Sequence, residues 1–248
     1  MRTIGVLGGM GPAAAADFYA RIVAGHGALR DQDHPPCILY GATQVPDRTA
    51  FLLGEGPDPT PELVAAARLI EAAGADFIAM PCNSAHAFLA PMREAVTIPI
   101  VDMISLAAAA VARVVPQSAG IGVLATSGTV EAGLYSQPLR DHGREPMYPE
   151  AVVQDEVMAA IKEVKAGASS GGHAPEPGTS DARLIAAAAH LAERGADCII
   201  MGCTEVPLAL AAADSPVVAI DGNQVLVDTT LALAIGRLDF EEISHAVR

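Results

Sequence analysis

A chain of 248 residues, 51% of them apolar, is long enough for one large domain or two of ordinary size around substantial cores. Its formal net charge of −14 disfavours nucleic acid and anionic membranes as partners, and 4% aromatic residues with no Trp offer no stacking platform for bases. A small anionic ligand stays open, because a local cluster of Arg, Lys and backbone N–H groups binds an anion even in an acidic protein.

In chain order, strand-like runs alternate with helix-like ones. TIGVLGG (3–9) reads as a strand and Gly-rich turn, and Pro12 to Ala24 as a helix with proline in its first turn, where the missing N–H costs nothing. CILYGAT (37–43) is a second strand and Pro46 to Gly56 a loop. Residues 61–73 have helical periodicity and stop at Gly74, a C′ glycine. DFIAMP (76–81) is a buried strand, Ser84 to Ala95 a helix, and IPIVDM (98–103) a strand. Leu106 to Val115 is helical, AGIGVLAT a strand, Val130 to His142 a helix, EPMYPE strand or loop, and Gln154 to Ala166 a helix. A Gly/Ser/Pro-rich insert, expected to be a mobile linker, occupies 167–180. Ala182 to Arg194 is helical, DCIIMG a strand, Glu205 to Ala213 a helix, PVVAI a strand, and a last helix covers about 223–237. This alternation predicts an α/β fold of parallel sheets flanked by helices, with ligands bound beyond the carboxyl ends of the strands. No apolar stretch approaches the roughly 20 residues of a spanning helix. The opening residues lead straight into a strand pattern rather than a signal-type segment. A reducing cytoplasm is the expected setting, and the four cysteines are read as thiols rather than a disulfide framework.

The two halves repeat one another. GADFIAMPCNSAH (74–86) is echoed by GADCIIMGCTEVP (195–207), which places Cys82 and Cys203 at equivalent points. IGVLGGMG (4–11) is echoed by IGVLATSG (121–128), and IPIVDM more loosely by SPVVAID (215–221). A period near 120 residues is too long for a solenoid and indicates two similar α/β domains. The expected division is 1–104 with 215–248 as the first and 105–214 as the second. Such a repeat is suited to placing two like acid/base groups on opposite faces of one substrate.

Each repeat cysteine follows a strand and begins a helix, where N–H groups and the helix dipole favour the thiolate. Asn83, Ser84 and Thr204, next to the cysteines, are suited to cradling a carboxylate or phosphate, and equally to plain N-capping. Gly9 and Met10 belong to a Gly-rich turn, GGMGP, that lets backbone approach a ligand; its counterpart ATSGT adds the hydroxyls of Thr126, Ser127 and Thr129. Arg48, in QVPDR beginning at Gln44, is either a fork for a carboxylate or a surface residue paired with Asp47. Lys165 sits at a helix end that solvent alone can satisfy. Glu205 is a base or orienter for Cys203, or a helix-favouring acid in a first turn. His86, four residues after Cys82, reads as a cap or support for it, since no second Cys/His pair with zinc-like spacing exists. Cys37 and Cys198 read as ordinary buried thiols.

Taken together, GGMGP, QVPDR, MPCNSAH and GCTE, in this order and spacing, resemble the aspartate/glutamate racemase superfamily, specifically its aspartate racemase branch, over nearly the whole chain. The resemblance implies two α/β domains facing each other across a cleft, a homodimer, and a reaction needing neither metal nor pyridoxal phosphate. It implies that Cys82 and Cys203 are the paired acid and base. Met10, Asn83, Ser84, Thr126, Thr129 and Thr204 would surround the α-carboxylate and amino group of a small acidic amino acid. Arg48 and Lys165 would take its side-chain carboxylate, with Gly9, Gln44, Ser127 and Glu205 in support. Position 84 is Ser where the family usually carries Thr, a change that keeps the hydroxyl. Broad-specificity or glutamate-type racemisation and a non-catalytic small-anion binder are the alternative readings.

Overall fold

The computed structural model describes residues 1–167, 178–243 and 246; all but the ends of the expected insert lie outside the described residues. The chain divides into two compact units, Met1–Met103 with Asn223–Arg248, and Ile104–Gly222.

The first unit contains β1 (Ile4–Gly8), α1 (Pro12–His26), β2 (Cys37–Gly41), α2 (Arg48–Leu52), α3 (Thr60–Ala72), β3 (Phe77–Ala79), α4 (Leu89–Ala95) and β4 (Ile100–Val101). Its strands are all parallel in the order β2-β1-β3-β4, with Ile4 level with both Cys37 and Phe77, and Ile78 level with Ile100. After α5 (Met103–Val114), the second unit contains β5 (Ile121–Ala125), α6 (Ser127–Glu131), α7 (Ser136–Arg140), β6 (Pro146–Met147), α8 (Ala151–Lys165), α9 (Ser180–Glu193), β7 (Cys198–Gly202), α10 (Val206–Ala209) and β8 (Val218–Asp221); α11 (Gly222–Ala234) follows. The strand order is again the same, β6-β5-β7-β8, all parallel.

Every residue of the central strands β1, β3, β5 and β7 is buried, as parallel strands covered on both faces require. Leu7, Ile70, Ile78, Met92 and Ile100 share one core; Leu124, Ile161, Leu184, Ile199 and Val206 share the other. The expected helix stops are present in both copies. Gly74 follows α3 at φ 95° and Gly195 follows α9 at φ 100°, backbone that only glycine adopts without strain.

Several expectations need correction. Residues 215–221 go with the second unit, because β8 pairs with β7 from Cys198↔Val218 to Met201↔Asp221; the break falls after Gly222 rather than at 214/215. The expected helix from Ser84 to Ala95 is a 3-10 turn, Ser84–Phe88, followed by α4. Pro91 has no N–H to give the carbonyl of Ala87, so a regular α-helix does not continue through this stretch. The expected helix from Val130 to His142 splits into α6 and α7 around Gly133, whose φ is 60°. The expected loop from Pro46 holds α2, capped by the Asp47 carboxylate accepting from the Ala50 N–H at 2.9 Å. The helix expected over Glu205 to Ala213 shortens to the single turn of α10.

Candidate active site

Apart from Lys165, at the end of α8, the chemistry-bearing residues lie on segments that leave the carboxyl ends of the strands, in two sets, one in each unit.

In the first unit, Gly9 follows β1 at φ 91°, where a Cβ would lie 2.5 Å from the Ala42 nitrogen. This glycine lets the β1 turn close onto the end of β2, and the Ala42 N–H donates to the Gly8 carbonyl at 3.0 Å. Met10, next in the turn, is buried. Cys82 follows β3, is 4% exposed, and its sulfur lies 3.7 Å from the Ser84 hydroxyl. Asn83 is buried beside it, and its carbonyl accepts from the His86 N–H at 3.0 Å. Phe51 of α2 and Phe88 pack with ring centroids 5.7 Å apart, tying the Arg48 segment to the Cys82 turn.

His86 uses both ring nitrogens. The Met103 backbone N–H donates to Nε2 at 3.1 Å, so Nδ1 carries the proton and donates it to the Cys82 carbonyl at 2.7 Å. The ring thus ties the cysteine's backbone to the end of β4 and leaves no lone pair for a metal. Burial pushes its pKa below the ordinary value, with Asp102 opposing and Arg93 assisting. A histidine whose folded pKa is lowered contributes stability that is present above the unfolded value of about 6.5 and lost as pH falls through the folded value. Unfolding free energy measured by urea titration between pH 7.5 and 5 should fall more steeply for the wild type than for His86→Gln, by at most about 1.4 kcal/mol per pH unit. Equal slopes would show that His86 is not neutral in the fold.

Arg48 is 7% exposed, not a surface residue. Its Nη1 donates to the carbonyls of Val45 at 3.1 Å and Pro46 at 2.8 Å, while Asp47 is occupied in capping α2. Its buried Nε has no partner among the described residues, and no carboxylate there lies within ion-pair distance. Gln44 is exposed, on a shallow cavity of about 200 Å³ shared with Glu62 and Ala66 of α3. No side-chain hydrogen bond joins it to the Cys82 turn among the described residues.

In the second unit, Thr126 caps α6: its hydroxyl oxygen accepts from the Thr129 N–H at 3.3 Å and lies 3.1 Å from the Thr129 hydroxyl. Ser127 is fastened to α8, where its N–H donates to the Met158 sulfur at 3.2 Å and the Gln154 amide donates to its hydroxyl at 3.3 Å. The same amide donates to the Ala125 carbonyl at 2.9 Å. Gln154 and Met158 were not foreseen, because a polar and an apolar residue on one helix carry no local sign of which loop they will hold.

Cys203 follows β7, is buried, and its thiol donates to Glu205 Oε2 at 3.0 Å. The Thr204 hydroxyl also donates to that oxygen, at 3.4 Å. Lys165 Nζ lies 3.7 Å from Glu205 Oε1, so the lysine at the end of α8 faces a buried carboxylate rather than solvent alone. Burial, then the Glu205 charge, pushes the Cys203 thiol well above its ordinary range, with Lys165 opposing. The expectation of a dipole-stabilised thiolate is therefore corrected at Cys203: α10 is one turn long, too short to outweigh burial beside a carboxylate. The other two cysteines are quiet, since burial pushes Cys37 and Cys198 up to about 11.

Two cysteines in matched loops after matched strands are the feature that the two sets share. The Asp/Glu/Hydantoin racemase family matches over residues 7–230. The chain belongs to that family. The racemase is 25% identical to the broad specificity amino-acid racemase RacX of Bacillus subtilis (strain 168), over 92% of this chain and 96% of that one. Its fold matches that of Picrophilus torridus aspartate racemase with a TM-score of 0.80 and 26% identity, covering 98% of each chain. Glutamate racemase RacE1 of Bacillus anthracis shares the fold alone, with a TM-score of 0.65 and 16% identity over 95% of this chain and 81% of that one.

Proposed function

We propose that this racemase interconverts L- and D-aspartate by proton transfer at the α-carbon, with Cys82 and Cys203 as the two acid/base groups. The repeated cysteine at the carboxyl ends of β3 and β7 carries the reading, and the likeness to the Picrophilus torridus aspartate racemase supports its substrate. One sulfur, as thiolate, takes the α-proton from one face while the other, as thiol, supplies a proton to the opposite face; reversal exchanges the roles. Charge developing at the α-carbon passes into the α-carboxylate. N–H and O–H donors from Met10, Asn83, Ser84, Thr126, Thr129 and Thr204 stabilise it, and oxygen acceptors of the same residues seat the amino group. Arg48 and Lys165 take the side-chain carboxylate, with Gly9, Gln44, Ser127 and Glu205 in support. The reaction so written is acid–base chemistry by the chain's own groups and draws on no cofactor. The working form is proposed to be a cytoplasmic homodimer; among the described residues no helix is long and apolar enough to cross a membrane.

The likeness to RacX over nearly the full length of both chains favours a second reading, a broad-specificity amino-acid racemase. Incubating L-aspartate with the protein in deuterated buffer tests the reaction: D-aspartate carrying deuterium at Cα is expected by NMR and chiral chromatography. No exchange with aspartate or with any of a panel of amino acids would defeat the racemase reading. Comparable rates across the panel would select the broader one.

A further inference from the structure

The two sulfurs sit in matched loops but have different neighbours. Cys203 donates to a carboxylate oxygen at 3.0 Å, and the other oxygen of that carboxylate lies 3.7 Å from an ammonium. Among the described residues, the polar neighbour of the Cys82 sulfur is instead a hydroxyl, at 3.7 Å. A thiol is a weak donor, and a charged acceptor fixes its proton far more firmly than a hydroxyl does.

We propose that Glu205, anchored by Lys165, is a positioning residue that holds the proton on Cys203, so that Cys203 begins a turnover as the proton donor and the base's role falls first to Cys82. This rests on the two-thiol reading and goes beyond it by ordering the two groups. In the step it describes, the Cys203 S–H bond breaks as the new C–H bond forms at the α-carbon, and the sulfur keeps the electron pair. The resulting thiolate stands beside the Glu205 carboxylate, and their repulsion, eased by Lys165, makes it a strong base for the return reaction. Lys165 carries a second consequence. An anionic substrate that draws its ammonium away from Glu205 leaves the carboxylate less compensated and tightens its hold on the thiol proton. Substrate charge and proton position are thereby coupled inside one unit.

The groups that set the titration of Cys203 are Glu205, on its own loop, and Lys165, from α8. Protein carrying 13C-labelled cysteine, with the four resonances assigned by single Cys→Ser variants, reads protonation at each sulfur without needing turnover. In the wild type the Cys203 midpoint is expected above the usual thiol value of about 8.5. Glu205→Gln, which keeps the shape and removes the charge, should move it down by at least one pH unit, and Lys165→Met should move it up. A wild-type midpoint at or below the usual value, or one that stays in place in folded Glu205→Gln, overturns the proposal. Should Glu205→Gln fail to fold by circular dichroism, the wild-type midpoint and the half-exposed Lys165→Met decide it. The titration and the deuterium assay fail separately: a racemase with an ordinary Cys203 midpoint loses only the ordering, and a protein without exchange activity loses the reaction itself.

Discussion

Replacing either Cys82 or Cys203 by alanine should lower aspartate racemisation by about a thousandfold or more, in the range that a positioned acid or base contributes. Both residues are buried and small, so the loss of one sulfur removes little packing and the variants should fold. Racemisation needs a proton removed from one face and another delivered to the opposite face, and each variant lacks one half of that exchange. The surviving thiol still approaches its own face. It should remove the α-proton of one enantiomer and return a solvent deuteron to the same side, giving slow exchange with retention. Cys203→Ala and Cys82→Ala should therefore exchange opposite enantiomers, as measured by NMR in deuterated buffer with chiral analysis of the products. Racemisation at the wild-type rate in either variant would end the two-thiol account.

Removing the guanidinium at position 48 should lower kcat/KM for aspartate by about a hundredfold, because truncating one partner of a buried charge pair costs about 2–5 kcal/mol. The structure gives the reason. Carbonyls of Val45 and Pro46 hold one end of the fork, and the buried Nε is without a partner among the described residues. A carboxylate approaching that side would receive charge-assisted bonds from a group whose burial is already part of the fold. Arg48→Lys should restore little, since an ammonium lacks the fork. Arg48→Met should act mainly on KM and weaken uncharged amino acids much less than aspartate. An equal loss for alanine and aspartate would assign Arg48 to scaffolding rather than to side-chain selection.

Much of this was legible in the sequence because the repeat is written in apolar runs and glycines, which act locally. Gly74 and Gly195 end equivalent helices, and the two GAD strands enter equivalent sheets. The repeat also held information that the expected division ignored. SPVVAID echoes IPIVDM, and since IPIVDM belongs to the first sheet, its echo belongs to the second, where β8 lies. Helix breaks were harder to see: the interruption after Cys82 depends on the N–H that Pro91 lacks, four residues beyond the carbonyl that a regular helix would pair with it. The site was legible as residue types and not as partners. That Arg48 would point away from Asp47, or that Lys165 would face Glu205 across 40 residues of chain, follows from packing between elements. His86 showed its proximity to Cys82, but its bond to the Met103 N–H depends on how β4 lies beside β3.

The unlike surroundings of the two sulfurs have a kinetic consequence. L- and D-amino acids are mirror images and have equal free energies in water, so no catalyst can favour one at equilibrium. For a racemase this forces kcat/KM to be identical for the two enantiomers, however different the carboxylate beside Cys203 and the hydroxyl beside Cys82 are. The asymmetry can surface only in the separate parameters: whichever enantiomer turns over faster at saturation must also have the larger KM, by the same ratio.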